Sequence, residues 1–214
     1  MPARLSITGG AVHVGIARLD GVRVINLRSR RDRLASALAE FGRLGIEQVE
    51  RFEAVSDENR ALGCSISHAR CLEEMLSRGW DTMLVCEDDV EFLLDRPRLD
   101  ALVDAFLDDP RAEIACLAYF VWQSRPYNRF FLQGLSVQTA ACYIVKRRVA
   151  SELLETWHHG IEQLRRGGSP ALYIADRSWA AIQQSHVFLV PIIRAAHQRT
   201  SYSDLQGRIV TYGH

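Results

Sequence analysis

Glu87, Asp88 and Asp89 are three consecutive acids placed directly after Thr82–Cys86, a run with Met83, Leu84 and Val85 at its centre. Such a run has the length of a buried strand, and carboxylates crowded at its end repel one another and lose hydration. They fit a solvated turn, or ligands for a divalent cation such as Mg²⁺ or Mn²⁺, which takes oxygen donors and substrate phosphates. α/β sheets gather ligands at the carboxyl ends of their strands. A second constellation is Arg28-Ser29-Arg30-Arg31-Asp32-Arg33. Four arginines between a strand and a helix suit either an anion at a helix N-terminus or a solvated helix start. His68 closes Gly63-Cys64-Ser65-Ile66-Ser67-His68, where it would orient substrate, move a proton or serve the structure alone. Asp176 is an isolated carboxylate beside Trp179 and after Gly167-Gly168-Ser169-Pro170. It reads as a base in a cleft or as a charge at a helix start.

The elements that must position these groups follow from periodicity. Val22–Leu27 is expected as a strand of branched residues, and Leu34, Ala37, Leu38, Phe41 and Leu44 repeat at helical spacing up to Gly45. A short strand near Gln48–Phe52 precedes a helix with Ser67 as N-cap and Cys71, Leu72, Met75 and Leu76 on one face, ending at Gly79. Pro97 opens a further helix and Pro110 ends it. Ile114–Tyr119, Ala140–Val145 and Val187–Val190 read as strands, and an edge strand is expected at Ala11–Ile16. Val149, Leu153, Leu154 and Trp157 mark a helix face, and a single helix is expected to carry Asp176, Trp179 and Ile182. Phe120–Gln138, with Trp122, Tyr127, Phe130 and Phe131 among arginines, reads as an aromatic loop suited to stacking on a sugar or a base. Strands alternating with helices predict an α/β sandwich, a mainly parallel central sheet flanked by helices. The expected layout is one domain over 1–214: a loose lead-in at 1–20, a nucleotide-sugar half at 22–119 and an acceptor half at 120–214.

Composition narrows the class. The 214 residues suffice for one sizeable core, and 26 basic against 26 acidic side chains give no global pull toward nucleic acid or an acidic membrane. Lys146 is the only lysine, and arginine carries nearly all the positive charge. Five cysteines, odd in number and without C-x-x-C spacing, point to a reducing compartment. The N-terminus shows no signal pattern and no apolar run approaches a membrane span, so the expectation is a cytoplasmic protein with at most peripheral membrane association.

Taken in order, Val24-Ile25-Asn26-Leu27 with Arg33, then Gly63-Cys64-x-Ile66-Ser67-His68, then Leu84 to Val90, and finally Gln198 with Ser203-Asp204-Leu205 resemble the signature of glycosyltransferase family 25, the lipooligosaccharide galactosyltransferases. The resemblance implies a GT-A fold, a UDP-sugar donor, Mn²⁺ or Mg²⁺, inversion at the anomeric carbon, and a glycan or lipid-linked sugar acceptor in surface-glycan synthesis. Inverting transfer needs a base and positive charge on the diphosphate, and the expectation is that Asp89, with Asp88 or Glu87, holds the metal and that Asp176, or failing it His68, acts as the base. Asn26, Arg28, Arg33, Ser67, Asp88, Gln198, Ser203 and Asp204 become donor-binding residues. The chain departs from the pattern in being short between Phe52 and Gly63 and around the aromatic segment, and in reading Ile174-Ala175-Asp176-Arg177 where a Pro-Val-Asp segment is expected. Two other readings compete: metal-dependent phosphoryl transfer or hydrolysis, and a sugar-nucleotide-binding protein of the same fold without catalysis. An aspartyl-nucleophile phosphatase would place acids after the first strand, where this chain has Asn26 and Arg28.

Overall fold

A computed structural model describes residues 14–203 and 208–210. Its frame is a six-stranded sheet in the order β2 (Val49–Glu53), β1 (Gly21–Asn26), β3 (Thr82–Glu87), β6 (Phe131–Lys146), β5 (Ile114–Pro126), β7 (Phe188–Pro191). β1 runs parallel to β2 and β3, and β5 parallel to β7, while β6 is antiparallel to β3, β5 and β7. Five strands therefore point one way and β6 alone the other, so the sheet is mainly parallel, as expected. Every residue of β1 is buried, as a strand covered on both faces requires.

Helices cover both faces. The alternation of β3 sends Leu84 and Cys86 toward α1 (Arg31–Arg43) and α3 (Arg96–Leu107), where Phe41, Val103 and Phe106 are fully buried. Met83 and Val85 meet Leu72 and Met75 of α2 (Arg60–Ser77) and Leu153 and Trp157 of α4 (Arg147–Arg165) on the other side. α3 starts where Asp95 accepts a hydrogen bond from the Arg98 amide at 3.0 Å and Pro97 fills the first turn. α2 ends at Gly79, whose φ of 72° suits a residue without Cβ and turns the chain straight into β3. No described helix is long and apolar enough to cross a membrane.

Four expectations change. α2 begins at Arg60 with Asn59 as N-cap, accepting from the Leu62 amide at 3.3 Å, so Ser67 lies two turns inside the helix. Phe120–Gln138 is mostly strand: β5 and β6 form one long hairpin whose register shifts at several points between Cys116 and Ser124, because irregular pairing accommodates the bend that Pro126 and Gly134 signalled as a loop. The single helix around Asp176 is three short pieces: α5 (Pro170–Tyr173), α6 (Ala175–Ser178) and a 3₁₀ turn, Trp179–Ala181. Gly15–Arg18 is a 3₁₀ turn, not an edge strand, with residues 11–13 outside the described ones. Its amides at Gly15 and Ile16 donate to Asp104 and Asp100 of α3.

Candidate active site

α2 brings the first wall. Its N-terminal turns pack so tightly under the 54–57 segment that a Cβ on Gly63 would meet the Val55 carbonyl oxygen at 2.7 Å. Ser67 Oγ donates to the Gly63 carbonyl and accepts from the Val55 amide at 2.8 Å, so it fastens this segment to the helix. The next residue, His68, is buried between Tyr143 of β6, whose hydroxyl is 3.1 Å from Nδ1, and Glu87, whose Oε1 is 3.2 Å from Nε2. Burial pushes Glu87 upward, but the His68 hydrogen bond and charge, with Arg33, hold it below its ordinary value.

The floor is the acidic end of β3. Arg33 reaches it from the first turn of α1 and pairs with Asp88 at 2.9 Å and Asp89 at 2.6 Å. Asn26 Nδ2 donates to Asp88 Oδ2 at 2.7 Å. Part of the compensating charge for the buried acids is thus supplied from within the chain, by Arg33. Asn26, also bonded to Arg51 through Oδ1, lies behind the site as a brace. Arg33, with the Arg30 charge also pulling on Asp88, nevertheless faces three carboxylates. Burial raises Asp88 to about 6 against the pull of Arg33 and Asn26, and burial with the Glu87 charge raises Asp89 to about 7. Asp89 Oδ1 is buried with no hydrogen-bond partner among the described residues. A hard divalent cation fits this imbalance, with Asp89 Oδ1 and the Glu87 carboxylate as oxygen donors. Cys64, His68 and Glu87 also offer one ligand atom each, all within 4.8 Å of one another, so the pocket holds a group that could bind a metal ion.

Asp176 lines the same cavity at the start of α6, which packs against α2. Its neighbour Ala175 is pinned from two sides: the amide donates to Ser65 Oγ at 3.1 Å and the carbonyl accepts from Trp157 Nε1 at 3.0 Å. Asp176 Oδ2 accepts from the Thr139 amide at 2.9 Å. Thr139 adopts φ 82°, a left-handed conformation that costs a β-branched residue on the order of 1–3 kcal/mol, and the amide is thereby aimed at the carboxylate. Burial raises Asp176 above the usual carboxylate range, with the Thr139 amide and the Arg177 charge opposing. Phe120 and Trp122 meet edge to face, with centroids 4.7 Å apart, both exposed at the rim. Phe120 pairs across the hairpin with Gln138, next to Thr139.

These walls enclose a cavity of about 1320 Å³ that brings together Glu87, Asp88, Asp89, Arg33, Ser67, His68, Gln198 and Asp176. Gln198 Nε2 donates to Glu87 Oε2 at 3.3 Å, placed by the pairing of β8 (Ala196–Gln198) with β4 (Val90–Phe92). Arg28 is exposed and does not line the cavity. Of Ser203 only its strand, Ser201–Ser203, is described, and Asp204 lies outside the described residues. Cys64, Arg60, Thr139, Arg177 and Arg194 also line the cavity and were missed. The i, i+4 spacing of Cys64 and His68 was the one available signal, since it puts both on one helix face.

Residues 59–163 match the model of glycosyltransferase family 25 (LPS biosynthesis protein). No curated protein matches the sequence. Among solved structures the chain is similar to mannose-1-phosphate geranyltransferase from Thermus thermophilus, at 12% identity over 84% of this chain and 73% of that one, with TM-score 0.48. It is similar to a glycosyltransferase involved in the glycosylation of the major capsid of PBCV-1, at 10% identity over 87% and 96%, with TM-score 0.49. A third is mannosyltransferase PcManGT from Pyrobaculum calidifontis in complex with GDP-Man and Mn²⁺, at 13% identity over 86% and 58%, with TM-score 0.47.

Proposed function

We propose that the chain, whose residues 59–163 match the family 25 model, is a glycosyltransferase that moves galactose from a UDP-sugar to a glycan acceptor, with inversion, in lipopolysaccharide or other surface-glycan synthesis at the cytoplasmic face of a membrane. The observation that carries this reading is one cavity lined both by an under-compensated acidic floor and by a separately held carboxylate, Asp176. At about 1320 Å³ it exceeds the roughly 300–1,000 Å³ of a single small-molecule pocket, leaving room for a donor and part of an acceptor.

Inverting transfer needs a base beside the attacking hydroxyl and positive charge on the departing diphosphate. Asp176 takes the hydroxyl proton. The Thr139 amide fixes its Oδ2, which leaves Oδ1 for the substrate, and burial makes the carboxylate a stronger base than an exposed one. Glu87 and Asp89 would hold Mn²⁺ or Mg²⁺, which when bound supplies positive charge to the diphosphate. Arg60 and Arg177, exposed in the cavity lining, meet the same anion in place of Arg28. Phe120 and Trp122 offer ring faces to an acceptor sugar.

The test is UDP release from UDP-galactose with Mn²⁺, with and without a panel of glycan acceptors. Asp176→Asn keeps the shape and loses the proton acceptor, so transfer should fall by about 10²–10⁴ with UDP affinity unchanged. Transfer by the variant within about threefold of the parent, far short of that range, would remove Asp176 from the mechanism. Phosphate release from simple esters in place of UDP release would overturn sugar transfer itself.

A further inference from the structure

Beside the acidic floor the cavity carries a second donor set of different chemistry. Cys64 and His68 are four residues apart in α2, so they stack on one helix face, and Glu87 at the end of β3 closes the third corner. Cys64 Sγ lies 4.0 Å and His68 Nε2 3.2 Å from the same carboxylate oxygen, Glu87 Oε1. Ligand atoms bonded to one zinc-sized ion at about 2.0–2.3 Å sit roughly 3–4 Å from one another, so these three atoms need little movement to share an ion.

The surroundings orient each ligand as metal sites do. His68 has its other ring nitrogen against the buried Tyr143 hydroxyl, which leaves Nε2 for an ion, and Glu87 is steadied through its second oxygen by Gln198. Sulfur, imidazole and a single carboxylate favour a borderline-soft cation, whereas Mg²⁺ and Mn²⁺ favour oxygen. All three residues line the cavity, so a fourth coordination position is open to water or substrate.

We propose that Cys64, His68 and Glu87 form a site for a thiophilic divalent cation of the Zn²⁺ type, which shares Glu87 with the oxygen-donor position at Asp89. Coordination sends the thiol proton to solvent. The two positions compete for Glu87, so Zn²⁺ in this site withdraws a ligand from the hard cation and inhibits the sugar transfer proposed above. The site itself does not depend on that activity.

Co²⁺ is the probe, titrated into the reduced, metal-stripped protein. A near-ultraviolet thiolate-to-cobalt band should grow in, saturate at a single equivalent and vanish when Zn²⁺ is added. Cys64→Ser should abolish the band and Asp89→Asn should keep it, with thermal melts confirming that both variants fold. Tyr143→Phe should keep the band but weaken Co²⁺ binding by about 10–100-fold, the usual effect of removing an orienting partner, and it decides the matter if Cys64→Ser does not fold. No band in the parent, a band that survives Cys64→Ser, unchanged affinity in Tyr143→Phe, or loss of the band in Asp89→Asn would each overturn the assignment. Because the readout is a spectrum, its failure is distinguishable from a failure of the sugar-transfer reading.

Discussion

At the scale of single residues, Arg33 decides whether the site exists in the absence of an ion. It pairs with both Asp88 and Asp89, at 2.9 and 2.6 Å, and all three are largely buried. Removing one partner of a buried ion pair costs about 3–5 kcal/mol, because the charges left behind lose hydration and gain nothing. Arg33→Met should therefore lower the melting temperature sharply, and millimolar Mn²⁺ should restore part of the loss by supplying the missing charge. A variant that melts with the parent would show the pair to be solvated. The acids themselves were legible from three carboxylates at the end of an apolar run. Their partner was not, because Arg33 lies 55 positions upstream and only the fold brings α1 over the end of β3. Thr139 was illegible for another reason: nothing in a Gln-Thr-Ala sequence announces a left-handed backbone, which is imposed by the tertiary structure around it.

At the scale of elements, the β5–β6 hairpin both closes the sheet and carries the aromatic rim. The sequence shows Pro126 and Gly134, and breakers between aromatic residues suggest a loop. Pro126 in fact ends β5. Gly134 is needed because a Cβ there would meet Val137 Cγ2 at 2.1 Å, so the glycine permits a bend within the strand instead of ending it. The helices were easier to read. Their apolar spacing and their glycine ends were explicit, and the error at α2 came from preferring the Ser67 cap signal over Asn59. The hairpin leads to a kinetic expectation. Trp122 is 69% exposed at the cavity rim, so Trp122→Ala should leave the fold and the acceptor-free release of UDP unchanged. The apparent acceptor KM should rise by roughly 2–10-fold, the equivalent of about 0.5–1.5 kcal/mol of ring contact. An unchanged KM across the acceptors used would take the rim out of acceptor binding.

At the scale of the whole molecule, the layered α/β frame was legible from alternating strands and helices, whereas the lone antiparallel strand was not, since direction leaves no mark on a strand's composition. A pH dependence of stability arises at the far end of the sheet. His186 is held between Glu113 at 3.2 Å and Glu152 at 2.9 Å. Burial lowers its pKa, but hydrogen bonds and charge from the two glutamates outweigh that and raise it. A raised folded value means that the histidine stabilises fully below its unfolded value of about 6.5 and that this contribution is lost as pH climbs through the folded value. The melting-temperature gap between the parent and His186→Gln should thus be wider at about pH 6 than at about pH 9; an equal gap at both would remove the linkage. The antiparallel strand also bears on synthesis. β3 is flanked by β1 and β6, and β6 is completed about 60 residues after β3 ends. At roughly 5–20 residues per second a ribosome leaves that edge open for about 3–12 s. An apolar strand with an unpaired edge is a template for pairing with other chains, and the three acids at its end are charged in the unfolded chain. Before they meet Arg33, substrate or any ion, Glu87, Asp88 and Asp89 stand where charged gatekeepers against aggregation are placed, at the flank of an apolar strand.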